Sequence, residues 1–382
     1  MKILYVASDQ VLPGRTGGSV HVLEVGRGLA ARGHEVHAVV RAQRDLPPEE
    51  SWGALHLHRI GWRPFHRAFR FRARATVRRL AERTGADVVM ERYYNFGGEG
   101  VGAAQDLGRP ALLEVNSPVV DHPGSLKATL DAAAVVRPMR RWREWQCRSA
   151  SALVAPLLDI VPAFARAKTE VVTWGANVEE FRPDRRSEAV RAELGVPPGA
   201  VAVLFSGSFR PWHGVHVLEA AARALRDDAG LFFVFAGGEK RGPAEGFRGT
   251  WLGTVPYERM PDVVASCDVG TAPYDTSRLA QLQLGFYWSP LKVFEYMASG
   301  LPTVAVAQGP LREILRDGQE GLHVAERDPE ALGAAIQRLA RDPALRARLG
   351  ASARTRVVEQ YSWQVHCAQL ERVLQRIAGG TR

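Results

Sequence analysis

The sequence predicts an α/β protein built of two tandem, doubly wound parallel sheets, and three observations carry that reading. Short apolar runs alternate with amphipathic helical patterns up to Trp174; the rhythm breaks at a polar, turn-rich stretch beginning GANVEEFRPDRR; it then restarts and runs toward the end of the chain. A length of 382 residues suits two domains, each large enough to bury its own core. The expected boundaries are a first domain at 1–174, a linker at 175–187, a second domain at 188–360 and a terminal helical segment at 361–382.

The first series opens with the apolar strand Ile3–Ala7, then a glycine-bearing turn and a helix over Ser19–Arg32. Glu35–Val40 reads as the next strand, followed by a basic helical pattern at Arg63–Arg83 and apolar runs of strand length at Asp87–Met90 and Ala111–Val115. A long helix over Lys127–Arg148 and strands at Ala152–Ala155 and Glu170–Thr173 complete it. The second series runs through Val201–Phe205, a helix at Gly214–Arg226, Leu231–Ala236, a strand at Thr250–Leu252, a helix at Tyr257–Ser266 and Val269–Ala272. A helix from Ser289, the strand Thr303–Ala307 and terminal helices rich in Ala, Leu and Arg follow. Open sheets of this kind bind ligands beyond the carboxyl ends of their strands, so the expected site is a cleft where the two sets of strand ends face each other.

Composition is ordinary for a globular chain, 46% hydrophobic and 24% charged, which argues against extensive disorder. No apolar run is long enough to span a bilayer, and MKILYVASDQ enters a strand rather than a signal peptide, so a cytoplasmic protein is expected. Cys147, Cys267 and Cys367 have neither disulfide nor metal-ligand spacing and read as small buried hydrophobes. The net charge of +9 is carried by arginine, since Lys2, Lys127, Lys168, Lys240 and Lys292 are the five lysines. The densest run, RPFHRAFRFRARATVRRLAER at 63–83, sets Phe65, Phe69, Val77 and Leu80 near one helical face. It reads either as a core-facing helix with a solvated basic side or as a peripheral contact with anionic lipid at the inner membrane face; the narrow apolar stripe favours the first. Nucleic acid is disfavoured as a partner, because no recognition-helix pattern or aromatic RNA motif accompanies the charge.

One stretch, SPLKVFEYMASGLPTVA from Ser289, poses an electrostatic problem. Ser289 suits an N-cap and Pro290 a first helical position, with Leu291 and Lys292 in the first turn and Gly300 and Pro302 ending the helix. A cation there opposes the helix dipole unless an anion stands in front of it. Glu295, three residues on, shares its face; phosphates would take the free amides and the ammonium, and a carboxylate one turn deeper suits two hydroxyls of a ribose. Gly17 and Gly18 lie between the first strand and helix, where backbone can approach a ligand, but they lack the GxGxxG spacing of a dinucleotide fold. His21, in that helix's first turn, reads as a packing residue.

Four stretches, GRTGGSVHVLEVGRGLAARGHEV, TWGANVEEFRP, FSGSFRPWHGVHVLEAA and SPLKVFEYMASGLPTVA, resemble the family four retaining glycosyltransferases of the GT-B fold. The likeness extends over essentially the whole chain. It implies two Rossmann-like domains, a nucleotide-sugar donor, a hydroxyl acceptor, retained anomeric configuration, and neither a metal nor a cofactor. It assigns the ribose to Glu295, in line with the phosphate reading of Lys292 beside it. Family members carry an arginine and a lysine where this chain has Ser208 and His213, so Arg210 in the same loop is the candidate replacement cation. They carry a second glutamate, holding the donor sugar, where this chain has Tyr287. Phe286, Tyr287 and Trp288 either close over the donor or pack between domains.

On the acceptor side, Asn116 stands near the position of a family histidine that meets the transferred sugar, with Asp121 and His122 in the loop beyond. Asn116 can hydrogen-bond a sugar hydroxyl; Asp121 or His122 can orient or deprotonate an acceptor, or the loop is held by its own turns. Glu91, Arg92 and Tyr93, after a strand, are expected to line the acceptor side. The expected activity is hexosyl transfer from a UDP-sugar, less readily a GDP-sugar, to a glycan, lipid or small metabolite. A non-catalytic nucleotide-sugar-binding module and a nucleotide-sugar epimerase on the same fold are the alternatives; a dehydrogenase is disfavoured by the glycine spacing.

Overall fold

The computed structural model describes residues 1–14, 16–61, 70–239, 244–287 and 289–380. Phe65 and Phe69 of the basic run, and Trp288, lie outside the described residues. The chain divides into two units, one of Met1–Trp174, Tyr287–Ser289 and Trp363–Arg382, the other of Gly175–Phe286 and Pro290–Ser362.

Unit 1 contains strands β1 (Lys2–Ala7), β2 (Glu35–Arg41), β3 (Glu49–Trp52), β4 (Leu55–Ile60), β5 (Val88–Arg92), β6 (Ala111–Glu114), β7 (Ala152–Ala155) and β8 (Thr169–Val171). They form one sheet in the order β3-β4-β2-β1-β5-β6-β7-β8. Only β3 pairs antiparallel, as a hairpin with β4. Ile3, Leu4, Val6, Val88, Val89, Leu112 and Leu113 are fully buried, as a parallel sheet covered on both faces requires. The expected helix over 127–148 is instead two helices, Leu126–Ala133 and Pro138–Ser149, because proline cannot continue a helix but suits the start of one. The described part of the basic run is a 3₁₀ turn at Arg70–Ala73 and a helix at Arg74–Thr84, with Val77 and Leu80 buried and Arg78 and Arg79 exposed. That is the solvated-face reading of this helix. The terminal helix Trp363–Gly379 packs on the Gly17–Ala31 helix, where Glu371 accepts from Arg32 at 2.7 Å and lies 2.8 Å from His34.

A buried ionic centre ties the loops at the carboxyl ends of β1 and β5. The fully buried Arg70 donates to Glu99 at 2.7 Å, Asp9 at 3.1 Å and Glu91 at 3.4 Å. The Glu91 carboxylate also accepts from the Gly98 and Val101 amides at 2.6 and 2.7 Å, so it caps the Glu99–Asp106 helix. Burial, and then Glu99, push the Glu91 carboxyl up to about 8. This corrects the acceptor-side expectation for Glu91: its oxygens are spent on main-chain amides and Arg70.

Unit 2 contains β9 (Val201–Ser206), β10 (Leu231–Ala236), β11 (Gly249–Gly253), β12 (Val269–Ala272), β13 (Thr303–Val306) and β14 (Gly321–Val324), paired in parallel in the order β11-β10-β9-β12-β13-β14. Counted along the unit, that is the strand order of the Rossmann fold, whose direction reverses between the first and fourth strands. Residues 175–187 are not a free linker. Phe181 is fully buried, and Arg354 donates to the carbonyls of Phe181 at 2.8 Å and Val178 at 2.9 Å, fastening the segment to unit 2.

Replacing Arg70 with methionine leaves Glu91, Glu99 and Asp9 without their shared cation. The substitution is expected to destabilise unit 1 by about 3–5 kcal/mol, read as a lowered unfolding midpoint in urea; an unchanged midpoint would contradict the role given to Arg70.

Candidate active site

The topological switch point of unit 2 lies between β9 and β12, and three segments converge on it. The β9 strand runs into the glycine loop Gly207–Gly214, β12 runs into Pro273–Tyr274, and the helix Leu291–Ala298 begins nearby. Pro290, not Ser289, occupies its N-cap position, and no side chain caps it. Ser289 instead accepts from the Trp174 amide at 3.1 Å. The Tyr296 hydroxyl accepts from the Ser206 amide at 2.7 Å, fixing this helix to the end of β9.

Lys292 is buried, and its Nζ has no hydrogen-bond partner among the described residues. It sits 3.9 Å from the centroid of the Phe205 ring and 5.2 Å from that of Tyr274, so two aromatic faces offset part of the cost of burying the ammonium. Burial still pulls the lysine down to about 7, with Glu295 opposing the fall. Gly207, at φ 145°, brings main chain so close that a Cβ there would lie 2.9 Å from Lys292 Nζ. At the loop's end Gly214, at φ 71°, leaves no room for a side chain against the Pro273 carbonyl.

His213 is buried beside this cradle, with Nδ1 unpartnered. Burial, then Lys292 and Arg210, hold its imidazole down to about 2, so it is neutral where the family pattern has a cation. Arg210 and Ser208 are exposed in the same loop, and the Arg210 charge is felt at His213. Glu295 is buried one turn beyond Lys292. The structure thus gathers Ser208, Arg210, His213, Pro290, Leu291, Lys292 and Glu295 around one set of strand ends. Tyr287 is buried but groups with unit 1. Sequence reasoning missed Phe205 and Tyr274; a ring at the next-to-last position of a strand, or two residues past one, has no periodic signature.

In unit 1 a second set of polar groups lies beyond β5 and β6. Asn116 accepts from Trp174 Nε1 at 2.9 Å, and its Nδ2 is buried and unpartnered. Arg92 lies over the Trp174 ring at 6.0 Å, with Nε 4.0 Å from Asp9 and Nε and Nη1 lacking hydrogen-bond partners. Trp174, unremarked in the sequence, is the residue that joins them. Asp121 accepts from the buried Arg143 at 2.9 Å, and the His122 ring is 3.0 Å from the Pro123 carbonyl. Both loop candidates are therefore engaged locally. Tyr93 is buried and donates to Asn95 at 3.1 Å. Thr16 caps the first helix through the Ser19 amide, with Gly17 exposed and Gly18 packed close to Gln10.

Behind Trp174, His21 is fully buried, its ring 4.3 Å from the indole and its Nε2 2.8 Å from a Glu114 oxygen, while Tyr5 donates to the other oxygen at 2.8 Å. His21, Glu114 and His366 bring their ligand-type atoms within 4.8 Å of one another. Arg92 adds positive charge to both His21 and Glu114, a poor setting for a divalent cation. The cluster pins the terminal helix to the sheet, with His366 Nδ1 2.7 Å from the Thr173 carbonyl.

The Rossmann-ordered sheet thus carries, at its switch point and beside a glycine loop, a buried lysine whose Nζ is unpartnered among the described residues. Comparison with known proteins supplies the class. Residues 15–160 match the family model described as Glycosyltransferase Family 4, and residues 200–342 the one described as Glycosyl transferases group 1. The chain is 31% identical to the D-inositol 3-phosphate glycosyltransferase of Geodermatophilus obscurus, over 93% of this chain and 84% of that one. The protein of the same name from Thermomonospora curvata is 27% identical over 97% and 92%. Among solved structures, sucrose-phosphate synthase from Thermosynechococcus elongatus superposes with a TM-score of 0.74 at 19% identity, covering 99% of each chain. Anabaena HepE in complex with UDP and glucose gives 0.71 at 17% identity, over 98% of this chain and 99% of that one. The chain belongs to glycosyltransferase family 4: it has the GT-B fold and is a glycosyltransferase.

Because the ammonium is buried without a hydrogen-bond partner, Lys292→Met is expected to raise the melting temperature of the unliganded protein by several degrees. The folded-state lysine titrates near 7 and the unfolded one well above it, so the gain is complete below pH 7 and shrinks as pH rises toward the unfolded value. A lowered melting temperature at neutral pH would show that Lys292 stabilises the fold.

Proposed function

We propose that the protein transfers a hexose-type sugar from a UDP-sugar to a hydroxyl acceptor with retention of anomeric configuration. The observation that carries the donor assignment is Lys292, a buried ammonium without a hydrogen-bond partner at the switch point, three residues before a buried carboxylate. In this reading the donor diphosphate supplies the missing anion, Lys292 and the amides of its helix hold it, and Glu295 takes the ribose hydroxyls. The solved likeness to HepE, whose structure contains UDP and glucose, supports UDP over GDP.

Chemistry follows from where charge develops. The acceptor oxygen bonds to the anomeric carbon, the bond from that carbon to the diphosphate oxygen breaks, and the acceptor proton passes to the departing diphosphate on the same face. No protein nucleophile is required. Lys292 stabilises the negative charge growing on the leaving group, in surroundings dry enough to make that contact strong. Arg210, on the exposed side of the glycine loop, adds a second cation, replacing the family's clamp and leaving the neutral His213 to hydrogen-bond. On the acceptor side, the free Asn116 amide and the Arg92 guanidinium are the groups with capacity to spare. Arg92 suits an acceptor that carries an anionic group.

A thermal-shift screen across UDP-, GDP- and ADP-sugars, followed by mass spectrometry of released nucleotide, tests the assignment. UDP-sugars are expected to shift melting most and to turn over with a matched acceptor. Lys292→Ala should weaken UDP binding at least about tenfold, the scale of one charge-assisted contact, and lower turnover with it. Glu295→Ala should weaken UDP and leave inorganic diphosphate unaffected. Stabilisation by UDP-sugars without turnover would favour a binding module, and undiminished UDP affinity in Lys292→Ala would remove the lysine from the donor site.

A further inference from the structure

The helix pair that follows β6 carries a feature that the donor and acceptor groups do not use. Among the described residues, four of the seven exposed large hydrophobic side chains fall in this one hairpin: Leu126 at 71%, Leu130 at 49%, Val135 at 81% and Val136 at 58% exposure. The Leu126–Ala133 helix ends in a tip, Ala134–Arg137, and the chain returns through the Pro138–Ser149 helix. Every residue from Ala132 to Pro138 is exposed.

The tip is a built structure. Asp131, itself buried, accepts from the Met139 and Arg140 amides at 2.9 and 2.8 Å and so caps the second helix from the end of the first. Val135 and Arg137 sit at φ 57° and 51°, where asparagine or glycine would be unstrained. A β-branched residue held there and almost wholly exposed adds nothing to packing within the chain.

Charge around this apolar tip is mainly basic. Arg137, Arg140 and Arg141 are exposed and Asp131 is buried; Glu144, partly exposed one turn on, accepts from Arg140 at 3.0 Å and leaves Arg137 and Arg141 as the cations nearest the apex. Beside them Trp142 and Trp145 stack at 4.6 Å along a cavity of ≈ 430 Å³ that Arg74, Gln105, Pro138 and Arg141 also line. Apolar side chains at the apex, indoles behind them and guanidinium groups around both are the groups that sort to the acyl, interfacial and phosphate levels of a bilayer. A second copy is a poor occupant, because a symmetric contact between two such tips sets arginines against arginines.

We propose that this hairpin docks the protein on an anionic lipid bilayer, Leu126, Leu130, Val135 and Val136 entering the interface and Arg137 and Arg141 meeting lipid phosphates. The helix that returns from the tip leads to the start of β7, so the tip stands at the carboxyl end of the unit 1 sheet, the end that carries Arg92 and Asn116. Docking there favours a lipid-borne hydroxyl as acceptor; that consequence rests on the glycosyltransferase reading, whereas the docking does not.

Flotation of the full chain with vesicles separates the outcomes. Wild type is expected to float with phosphatidylcholine–phosphatidylglycerol vesicles and to stay unbound to phosphatidylcholine alone, with binding lost in high salt. The double variant Val135→Asn/Val136→Ser should bind at least about tenfold more weakly, with unchanged or raised melting temperature, since asparagine suits the positive φ. Arg78→Gln/Arg79→Gln, on the neighbouring basic helix, should leave binding intact. No flotation of wild type, undiminished binding of the tip variant, loss confined to the Arg78/Arg79 variant, or a dimer on size exclusion that the tip variant abolishes would each overturn the proposal. UDP-sugar turnover on a soluble acceptor, measured in parallel, keeps a failure here distinct from a failure of the donor assignment.

Discussion

The site in unit 2 depends on one unfavourable burial, that of the Lys292 ammonium. Its helix dipole repels it, its hydrogen-bonding capacity is unmet among the described residues, and two aromatic faces give it partial compensation. Around that group the rest of the cradle is arranged. Gly207 lacks a side chain where one would meet the Nζ, Tyr296 holds the helix against β9, and His213 stays neutral beside it. In the proposed reading, stability spent in this way is recovered when the donor diphosphate binds.

Unit 1 shows the opposite economy in the same kind of fold. Several of its charges are paired inside the protein: Arg70 by three carboxylates, Glu91 by helix amides, and the part-exposed Asp121 by Arg143. Arg92 and the Asn116 amide, both against Trp174, carry donors that are unpartnered among the described residues. Trp174 in turn lies on His21, whose partner Glu114 sits near His366 of the terminal helix.

Much of this was legible in the sequence. Both β/α series were readable because buried parallel strands leave uninterrupted apolar runs such as ILYVA and LFFVFA. Lys292 stood out because a cation in a first helical turn has a known electrostatic cost. The β3–β4 hairpin went unread although the alternating LHLH of β4 is a strand pattern, because β3, Glu49–Trp52, is polar and carries no apolar run of its own. The break at Pro138 and the packing of 175–187 were misread for a shared reason. Local composition describes what a segment can do alone, whereas a cap from Asp131 or an anchor from Arg354 comes from elsewhere in the chain. Glu91 illustrates the limit at the site: its position after a strand was evident, but its commitment to the Gly98 and Val101 amides depends on how the loop folds back.

The central claim is that a lysine held near neutrality by burial becomes a full cation when a nucleotide diphosphate arrives. Calorimetry in buffers of differing ionisation enthalpy measures the protons taken up by the protein when it binds a UDP-sugar, whose diphosphate diester has no proton to exchange in this range. With the free enzyme's lysine titrating near 7, uptake on binding should approach one proton at about pH 8.5 and vanish at about pH 5.5, and Lys292→Met should show neither the uptake nor tight binding. Binding of the UDP-sugar at high pH without proton uptake, or uptake that survives in Lys292→Met, would contradict the account.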